Sequence, residues 1–370
     1  MTERSQIVNF GAGPSTLPES VLEKAANGLL NYNQTGIGIT ELSHRSKEFG
    51  ALTKHLEALI REHLSVPETH SILFTQGGGS GQFSAVVLNL LARHRLLHPD
   101  LQDEARFMDY IVTGSWSKKA VEEARRLGGA RVNIVVDGRQ YSRDGKSFDN
   151  IPPHDKWVLS PNPAFVYYCE NETVDGVQFS NDPTSPQAFP HHLFMDPFTP
   201  LVADFSSSFM SRPIHHLADH ALIYAGAQKN IGPSGLTILI VRQDLLVNTD
   251  AAAKLGAAPV PYTLAYKTLA DAASLYNTPP MFAMYVADLV LDRVKEEGGL
   301  ASLESANKRK AEKLYAILAE GEKKGFVKVK VQPGSRSGMN ATFEILGEGS
   351  EQKFLQGADV CGFRQLKGHR

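Results

Sequence analysis

Short apolar runs alternate with helical patterns along the chain as far as about residue 280. The run "SILF" (71–74) precedes a glycine turn and the apolar segment "QFSAVVLNLLARH", and "YIVTG" (110–114) precedes "SKKAVEEARRLG". In this last segment the apolar side chains fall on one face of a helix: Ala120, Val121, Ala124 and Leu127. The alternation predicts an α/β fold with a mainly parallel sheet flanked by helices.

Four more runs have the composition of strands, and several of them end in polar or glycine-rich residues. They are "AFVYYC" (164–169), "PLVADF" (200–205), "ALIYAG" (221–226) and "LTILIV" (236–241). After about residue 280 the pattern changes to two long helices, at 281–299 and around 301–320, followed by the strands "FVKVKV" and "ATFEIL". This change predicts a second, smaller α+β domain.

Composition narrows the class of protein and its partners. The 370 residues are 42% hydrophobic, and 38 Lys and Arg nearly balance 40 Asp and Glu, so no overall field favours nucleic acid or an anionic membrane. The two cysteines, Cys169 and Cys361, are far apart and lack metal-ligand spacing, which argues against a disulfide scaffold or a zinc site. No apolar run approaches the ~20 residues of a membrane span. We therefore expect a cytoplasmic protein without a metal site.

The stretch "TQGGGSGQF" (75–83) lies between a predicted strand and a predicted helix. Glycines let a backbone approach a ligand closely, and the N–H groups of a first helical turn attract a phosphate. The stretch matches neither a Walker loop nor G-x-G-x-x-G, so a tight turn is an equally good interpretation.

Asp204 ends the strand "PLVADF", and Lys229 follows the next strand in "YAGAQKN". Taken singly, Asp204 is better explained as a turn or helix cap, and Lys229 as a surface lysine. Neighbouring strand ends can, however, bring an acid and an amine into one crevice beside the glycine stretch. Pyridoxal phosphate needs an amine to bond covalently, a carboxylate for its ring nitrogen and donors for its phosphate, so the combination indicates that cofactor.

Nine short blocks in the same order carry a resemblance over essentially the whole chain. They are "NFGAGPSTLP", "ELSHRSKEF", "QGGGSGQFSAV", "GSWS", "CENETVDGV", "ADFSSSF", "YAGAQKNIGPSGLT", "LYNTPPMFAMY" and "LKGHR". In these blocks the sequence resembles the class V pyridoxal-phosphate-dependent aminotransferases of the aspartate-aminotransferase fold type, and within them the phosphoserine aminotransferase family. The resemblance implies a large cofactor domain over 17–295 and a small domain made of 1–16 and 296–370.

The resemblance also implies roles for individual residues around pyridoxal 5'-phosphate. Lys229 matches the lysine that bonds the cofactor and moves the substrate proton, and Asp204 matches the partner of the ring nitrogen. The other matching positions are Gly79, Ser80 and Gln228 for the phosphate, Trp116 for stacking on the ring, Thr173 for the ring hydroxyl, and Asn277 and Thr278 for the phosphate bound by a second subunit. Without the resemblance, Trp116 suggests only packing in the core or at an interface, and Thr173 suggests only a turn. The stretch "NTPP" by itself suggests a proline turn. A homodimer with shared active sites is expected.

Two basic pairs are the candidate substrate ligands. His44 and Arg45 in "SHRSKEF", and His369 and Arg370 in "KGHR", match the clusters that bind the distal anion. That anion is a phosphate in O-phospho-L-serine and a carboxylate in glutamate, and a forked guanidinium suits both. The implied reaction transfers an amino group between O-phospho-L-serine and 2-oxoglutarate, giving 3-phosphohydroxypyruvate and L-glutamate, in L-serine biosynthesis. By themselves, His-Arg pairs are more typical of solvated surfaces than of ligand sites.

The sequence departs from the family pattern in two places, and alternatives to the implied function stay open. Relatives continue past "KGHR" into a strand whose arginine receives the substrate α-carboxylate, so this chain is expected to lack that ligand and part of the small domain. The alternatives are another aminotransferase or a lyase of the same fold, or a catalytically weak cofactor-binding dimer. The stretch 93–107 is longer than in compact relatives and is expected to form a surface excursion.

Overall fold

The computed structural model describes residues 3–194, 196 and 198–367, in which helices and strands alternate. The α-helices of this part are α1 (Glu19–Leu30), α2 (Lys47–Leu64), α3 (Gly78–Leu97), α4 (Ser115–Leu127), α5 (Thr249–Lys254), α6 (Tyr266–Asp271), α7 (Met281–Glu296), α8 (Gly299–Lys323) and α9 (Ser350–Val360). The strands are β1 (Val8–Asn9), β2 (His70–Thr75), β3 (Phe107–Val112), β4 (Arg131–Asp137), β5 (Phe165–Cys169), β6 (Asn171–Glu172), β7 (Val177–Gln178), β8 (Leu201–Asp204), β9 (Leu222–Gly226), β10 (Thr237–Arg242), β11 (Val327–Val329), β12 (Phe343–Ile345) and β13 (Phe363–Arg364). Among the residues described, no helix combines the length and the apolar character needed to cross a bilayer.

A seven-stranded sheet organises the molecule, with the strand order β2-β10-β9-β8-β5-β3-β4. The pairs from β9 to β4 are parallel, and only β10 runs antiparallel to its neighbours β9 and β2. The sheet is therefore mainly parallel and flanked by helices, which confirms the predicted α/β class.

Helices cover both faces of this sheet, so its central strands are apolar on both sides. In β10, Ile238 and Ile240 pack in the core cluster that contains residues of α2 and α7. The alternate residues Leu239 and Val241 pack with residues of α3 and α4 in a second cluster. This burial on two faces explains why the strands appear in the sequence as continuous apolar runs rather than as alternating patterns.

The elements at the two ends of the chain form small separate pairings. β11 and β12 pair antiparallel, and Leu318 of α8 packs against Val327 and Val329 of β11. β1 near the N-terminus pairs parallel with β13 near the C-terminal end of the described residues. The division into a large domain over 17–295 and a small domain made of 1–16 and 296–370 stays a prediction.

The predicted strands and long helices are all present, but three local features differ from expectation. The strand β4 was not predicted from "RVNIVVD". The stretch 93–107 is not simply a surface excursion: its tip is exposed, whereas Arg106 is 1% exposed and donates hydrogen bonds to the backbone carbonyls of His98 and Leu101. The proline-rich segment "SNDPTSPQAFPHH" (180–192) has the composition of a surface loop, but it buries Phe189.

Candidate active site

The carboxyl ends of three adjacent parallel strands meet at one edge of the sheet. β5 ends at Cys169, β8 at Asp204 and β9 at Gly226, and Asp204 is in register with both Cys169 and Tyr224. Because β10 is antiparallel, it begins at this same edge with Thr237, opposite Thr75 of β2. Side chains from loops that are distant in the sequence therefore converge here, where α/β sheets usually bind ligands.

A cavity of about 230 Å³ opens at this edge. It collects seven of the residues predicted from the sequence: Gly79, Ser80, Trp116, Thr173, Asp204, Gln228 and Lys229. Four more polar or thiol side chains in its wall were not predicted individually: Cys169, Asn171, Ser206 and Ser207. All four lie inside blocks that carried the family resemblance, which was the available signal.

The glycine stretch turns the chain from β2 into α3 at the cavity wall. Gly77 and Gly78 have φ values of +101° and +61°, a region that side chains rarely adopt, and the Gly78 N–H donates to Thr237 Oγ1 at 2.8 Å. The first N–H groups of the 20-residue helix α3 are therefore at the cavity, together with the positive end of its dipole. This arrangement is suited to a phosphate group.

The Asp204 carboxyl is buried beside the glycine turn. It is 6% exposed, its Oδ1 accepts the Ser206 N–H at 2.8 Å, and a Cβ atom on Gly79 would lie 3.5 Å from its Oδ2. Burial raises the pKa of Asp204, whereas the hydrogen bonds from Ser206 and the charge of Lys229 oppose this shift. A cationic group bound in the cavity would favour the ionised carboxylate.

The Lys229 amine lies under a segment from the N-terminus of the chain. A Cβ atom on Gly13 would lie 2.6 Å from Lys229 Cδ and 2.7 Å from its Nζ, so only glycine leaves room for this lysine conformation. Two residues later, the Ser15 N–H donates to Gln228 O at 2.9 Å, and the Ser15 hydroxyl donates to Lys229 O. Burial lowers the pKa of Lys229, and Asp204 acts in the opposite direction. The lowered pKa favours the neutral, nucleophilic amine.

A buried acid, Glu172, and a partly buried one, Asp175, fix the start of α4 and, with it, the backbone of Trp116. Glu172 is fully buried and accepts the Trp116 N–H at 2.8 Å, the Ser117 N–H at 2.9 Å and the Ser117 hydroxyl at 2.5 Å. Asp175 accepts the Ser115 N–H at 2.6 Å. Burial raises the pKa of Glu172 to about 8, against the effect of its three donors. These acids satisfy the helix N–H groups that have no intrahelical partner.

We expect Glu172→Gln to destabilise the start of α4. Glutamine has one acceptor oxygen, so its NH₂ group must face either the Trp116 N–H or the Ser117 donors. Leaving a buried donor unsatisfied costs about 1–3 kcal/mol, which urea unfolding measures as a lower free energy of unfolding. Glu122→Gln on the exposed surface of α4 is the matched control. Equal losses in the two variants would contradict the role assigned to Glu172.

The remaining predicted residues do not reach this cavity within one chain. Asn277 and Thr278 are exposed, and Thr278 Oγ1 lies 3.3 Å from His44 Nδ1. Arg45 is exposed in the turn before α2, whose N-terminus is capped by Ser46. The structure thus brings Thr278, predicted to bind the cofactor phosphate, next to His44, predicted to bind the substrate anion. His369 and Arg370 lie outside the described residues.

The residues of the cavity fit pyridoxal phosphate by the chemistry of their donors. The partly buried amine of Lys229, the buried carboxylate of Asp204 and the N-terminus of the long helix α3 meet the requirements of the aldehyde carbon, the ring nitrogen and the phosphate of that cofactor, in that order. Glycine at position 79 keeps the space beside Asp204 free of a side chain. The fold and the site together define a pyridoxal-phosphate-dependent enzyme.

Comparisons with known proteins give the same class and make it more specific. The family model "Aminotransferase class-V" matches residues 7–369, and the chain belongs to this aminotransferase family. A protein of Caenorhabditis elegans named probable phosphoserine aminotransferase is 41% identical over 98% of this chain and 89% of its own. The phosphoserine aminotransferase of Nitrosomonas europaea is 39% identical over 99% and 90% of the two chains. The solved phosphoserine aminotransferase of Bacillus circulans subsp. alkalophilus superimposes with a TM-score of 0.84 at 35% identity, covering 98% and 89%.

Proposed function

We propose that this protein is a phosphoserine aminotransferase, which transfers an amino group between O-phospho-L-serine and 2-oxoglutarate to give 3-phosphohydroxypyruvate and L-glutamate. The observation that carries the proposal is the identity of about 40% to proteins of that name over nearly the whole chain. The cavity supports the chemical part, because Lys229, Asp204 and the start of α3 converge in it. The physiological role that follows is a step of L-serine biosynthesis.

Lys229 and Asp204 have distinct parts in this reaction. Bound pyridoxal phosphate supplies an electron sink for the charge that develops when the substrate Cα loses its proton. The Nζ of Lys229, when neutral, can accept that proton. It can then donate the proton again to complete the transfer of the amino group. The Asp204 carboxylate, which accepts the Ser206 N–H, would pair with the protonated ring nitrogen of the cofactor. The start of α3 anchors the phosphate, and Trp116 offers an aromatic surface in the same cavity.

The proposal includes a cytoplasmic homodimer with shared active sites. Asn277, Thr278, His44 and Arg45 lie together on the surface or near it rather than in their own chain's cavity, as expected if they serve the site of a second subunit. Arg45 provides a forked donor set that suits both the phosphate of phosphoserine and the side-chain carboxylate of glutamate. A near-neutral net charge of −2 gives no reason to expect nucleic acid or an anionic membrane as a partner.

A half-reaction tests the substrate directly. Purified holoenzyme mixed with O-phospho-L-serine, without any oxo acid, is expected to release one equivalent of 3-phosphohydroxypyruvate per active site as the cofactor changes from its aldehyde to its amine form. Absorbance spectra and a chemical assay of the oxo acid measure the two changes. L-alanine and L-cysteine at the same concentration are the controls.

The outcomes separate the proposed function from its alternatives. Conversion that is faster with alanine would indicate another aminotransferase of the same fold, and release of sulfur from cysteine would indicate a lyase. Binding of cofactor without any conversion would contradict the aminotransferase assignment and favour a cofactor-binding dimer.

Arg45→Ala should raise KM for phosphoserine much more than it changes the cofactor content, because Arg45 does not line the cofactor cavity.

A further inference from the structure

A second cavity, of about 330 Å³, is lined by histidines and aromatic residues on segments outside the cofactor site. His191 and His192 belong to the turn at His191–Phe194, and His215 and His216 precede the turn at Leu217–Asp219. None of the four histidines lines the cofactor cavity or has a part in the proposed transamination. The cluster therefore needs a separate explanation.

Three side chains of this region lie close enough together to share one metal ion. His191, His216 and Asp219 each offer a ligand atom, and these atoms lie within 4.8 Å of one another. The His216 Nδ1 and the Asp219 Oδ2 are within hydrogen-bond distance at 3.0 Å, and the rings of His191 and His216 are stacked with centroids 4.3 Å apart, so the side chains of His216 and Asp219 must turn out of these contacts to face one ion. Two imidazoles and one carboxylate are a common protein donor set for zinc and related ions.

His191 carries an unsatisfied polar atom. Its Nδ1 is buried and has no hydrogen-bond partner among the described residues, although most buried polar atoms in folded proteins have one. An imidazole with an unused ring nitrogen can ligate a cation.

The backbone that presents His216 is held by residues behind it. His216 has a φ of +56°, a left-handed conformation that costs free energy in a residue with a side chain. His220 Nδ1 donates to His216 O at 2.9 Å, and His220 Nε2 accepts the Tyr168 hydroxyl at 2.7 Å. These contacts fix the turn in the position where His216 stacks on His191.

We propose that His191, His216 and Asp219 bind a zinc-type divalent transition-metal ion. Ligand atoms around tetrahedral zinc are roughly 3.3 Å apart, given bonds of about 2.0–2.2 Å, so no pair of these atoms, all within 4.8 Å of one another, needs to close by more than about 1.5 Å. The side chains of His216 and Asp219 are 52% and 49% exposed and have room to rotate toward the partly buried His191. The bound ion would join the turn at His191–Phe194 to the turn at Leu217–Asp219. The expectation that there is no metal site relied on cysteine spacing, which says nothing about histidines brought together from two loops.

A second group with the same residue types is a weaker candidate. His55, Asp288 and Asp292 also lie within 4.8 Å of one another, but His55 Nδ1 already bonds to Asp288 Oδ1 at 2.8 Å, and its Nε2 lies 3.6 Å from Asp292. No nitrogen of His55 is left without a carboxylate neighbour. This group serves as the internal control.

Metal binding is tested on tag-free holoenzyme, because an affinity tag of histidines would itself bind the ions. After chelator treatment and desalting, calorimetry with ZnCl₂ is expected to give one site per chain. Titration with CoCl₂ should produce visible ligand-field absorption at wavelengths beyond the cofactor bands. His191→Ala, His216→Ala and Asp219→Asn should each weaken zinc binding at least about tenfold, since outer partners of ligands alone have effects of that size. His55→Ala should leave binding unchanged.

Each result decides the proposal. The two exposed positions keep the test valid if His191→Ala fails to fold, because His216→Ala and Asp219→Asn remove ligands from the surface. Zinc should also raise the thermal midpoint of the wild type and not that of these two variants. The proposal is overturned if the wild type binds no zinc or cobalt, if binding survives both surface substitutions, or if it disappears in His55→Ala. Transamination should be unchanged in Asp219→Asn, so a failure here leaves the aminotransferase function intact.

Discussion

Replacing Lys229 by alanine is expected to abolish transamination and the covalent attachment of pyridoxal phosphate. The cavity wall contains no other lysine among the described residues, so no other amine is placed to take over either role. A positioned general base alone contributes about 10²–10⁴-fold, and the covalent role adds to this, so we expect a loss of at least about 10³-fold in kcat. The fold should survive, because the lowered pKa of Lys229 shows that burying its charge is unfavourable.

Borohydride reduction followed by peptide mass spectrometry measures the attachment. The wild type should carry the reduced cofactor on the peptide that contains Lys229, and Lys229→Ala should carry none. Lys267→Ala, which removes a surface lysine paired with Asp271 at 2.9 Å, is the matched control and should behave as the wild type. Partial recovery of turnover by added methylamine would support the proton-transfer role. Normal turnover with an adduct elsewhere would refute the assignment.

Replacing Asp204 by alanine is expected to leave a protein that binds cofactor but transaminates at least about 100-fold more slowly, as when one electrostatic contact of an active site is removed. Without a carboxylate the ring nitrogen is less readily protonated, and an unprotonated ring accepts the Cα charge poorly. Phosphate anchoring at the start of α3 does not involve Asp204, so much of the binding should persist.

Asp204→Asn separates charge from shape. The amide keeps the volume of the side chain and one oxygen for the Ser206 N–H at 2.8 Å, but it has no negative charge. If charge is the cause, the asparagine and alanine variants should lose similar factors in kcat, with cofactor content measured by absorbance. Near-normal turnover of Asp204→Asn would show that the ring nitrogen does not depend on this carboxylate.

Much of the sheet and the centre of the site could be predicted from local sequence. Apolar runs that end in polar residues predicted β8 and β9, and the structure places them side by side and parallel. Because parallel neighbours end at the same edge, Asp204 and Lys229 were expected to lie close together, and both line the cavity. The glycine stretch was ambiguous by itself, since a tight turn and a phosphate site have the same composition.

Other parts of the site depend on contacts between distant segments, and no local pattern encodes them. Gly13 lies more than 200 positions before Lys229, and its missing side chain matters only because the lysine side chain packs directly against it. The carboxyl of Glu172 is recognisable as a helix cap only once β6 has been packed against the start of α4. The burial of Arg106 and the meeting of His191 with His216 are likewise results of packing.

The sequence by itself determined the α/β class, the order of the strands along the chain and the residue types that a pyridoxal-phosphate site needs. These follow from periodicity and from side-chain chemistry, which are local properties. Only the tertiary structure decided which strand ends are neighbours, which polar groups lose water and in which direction the pKa values of Asp204 and Lys229 shift. Neighbours and burial depend on the position of every other segment. Burial lowers the pKa of Lys229 and so favours a reactive neutral amine, whereas the hydrogen bonds from Ser206 favour the Asp204 carboxylate against the effect of burial.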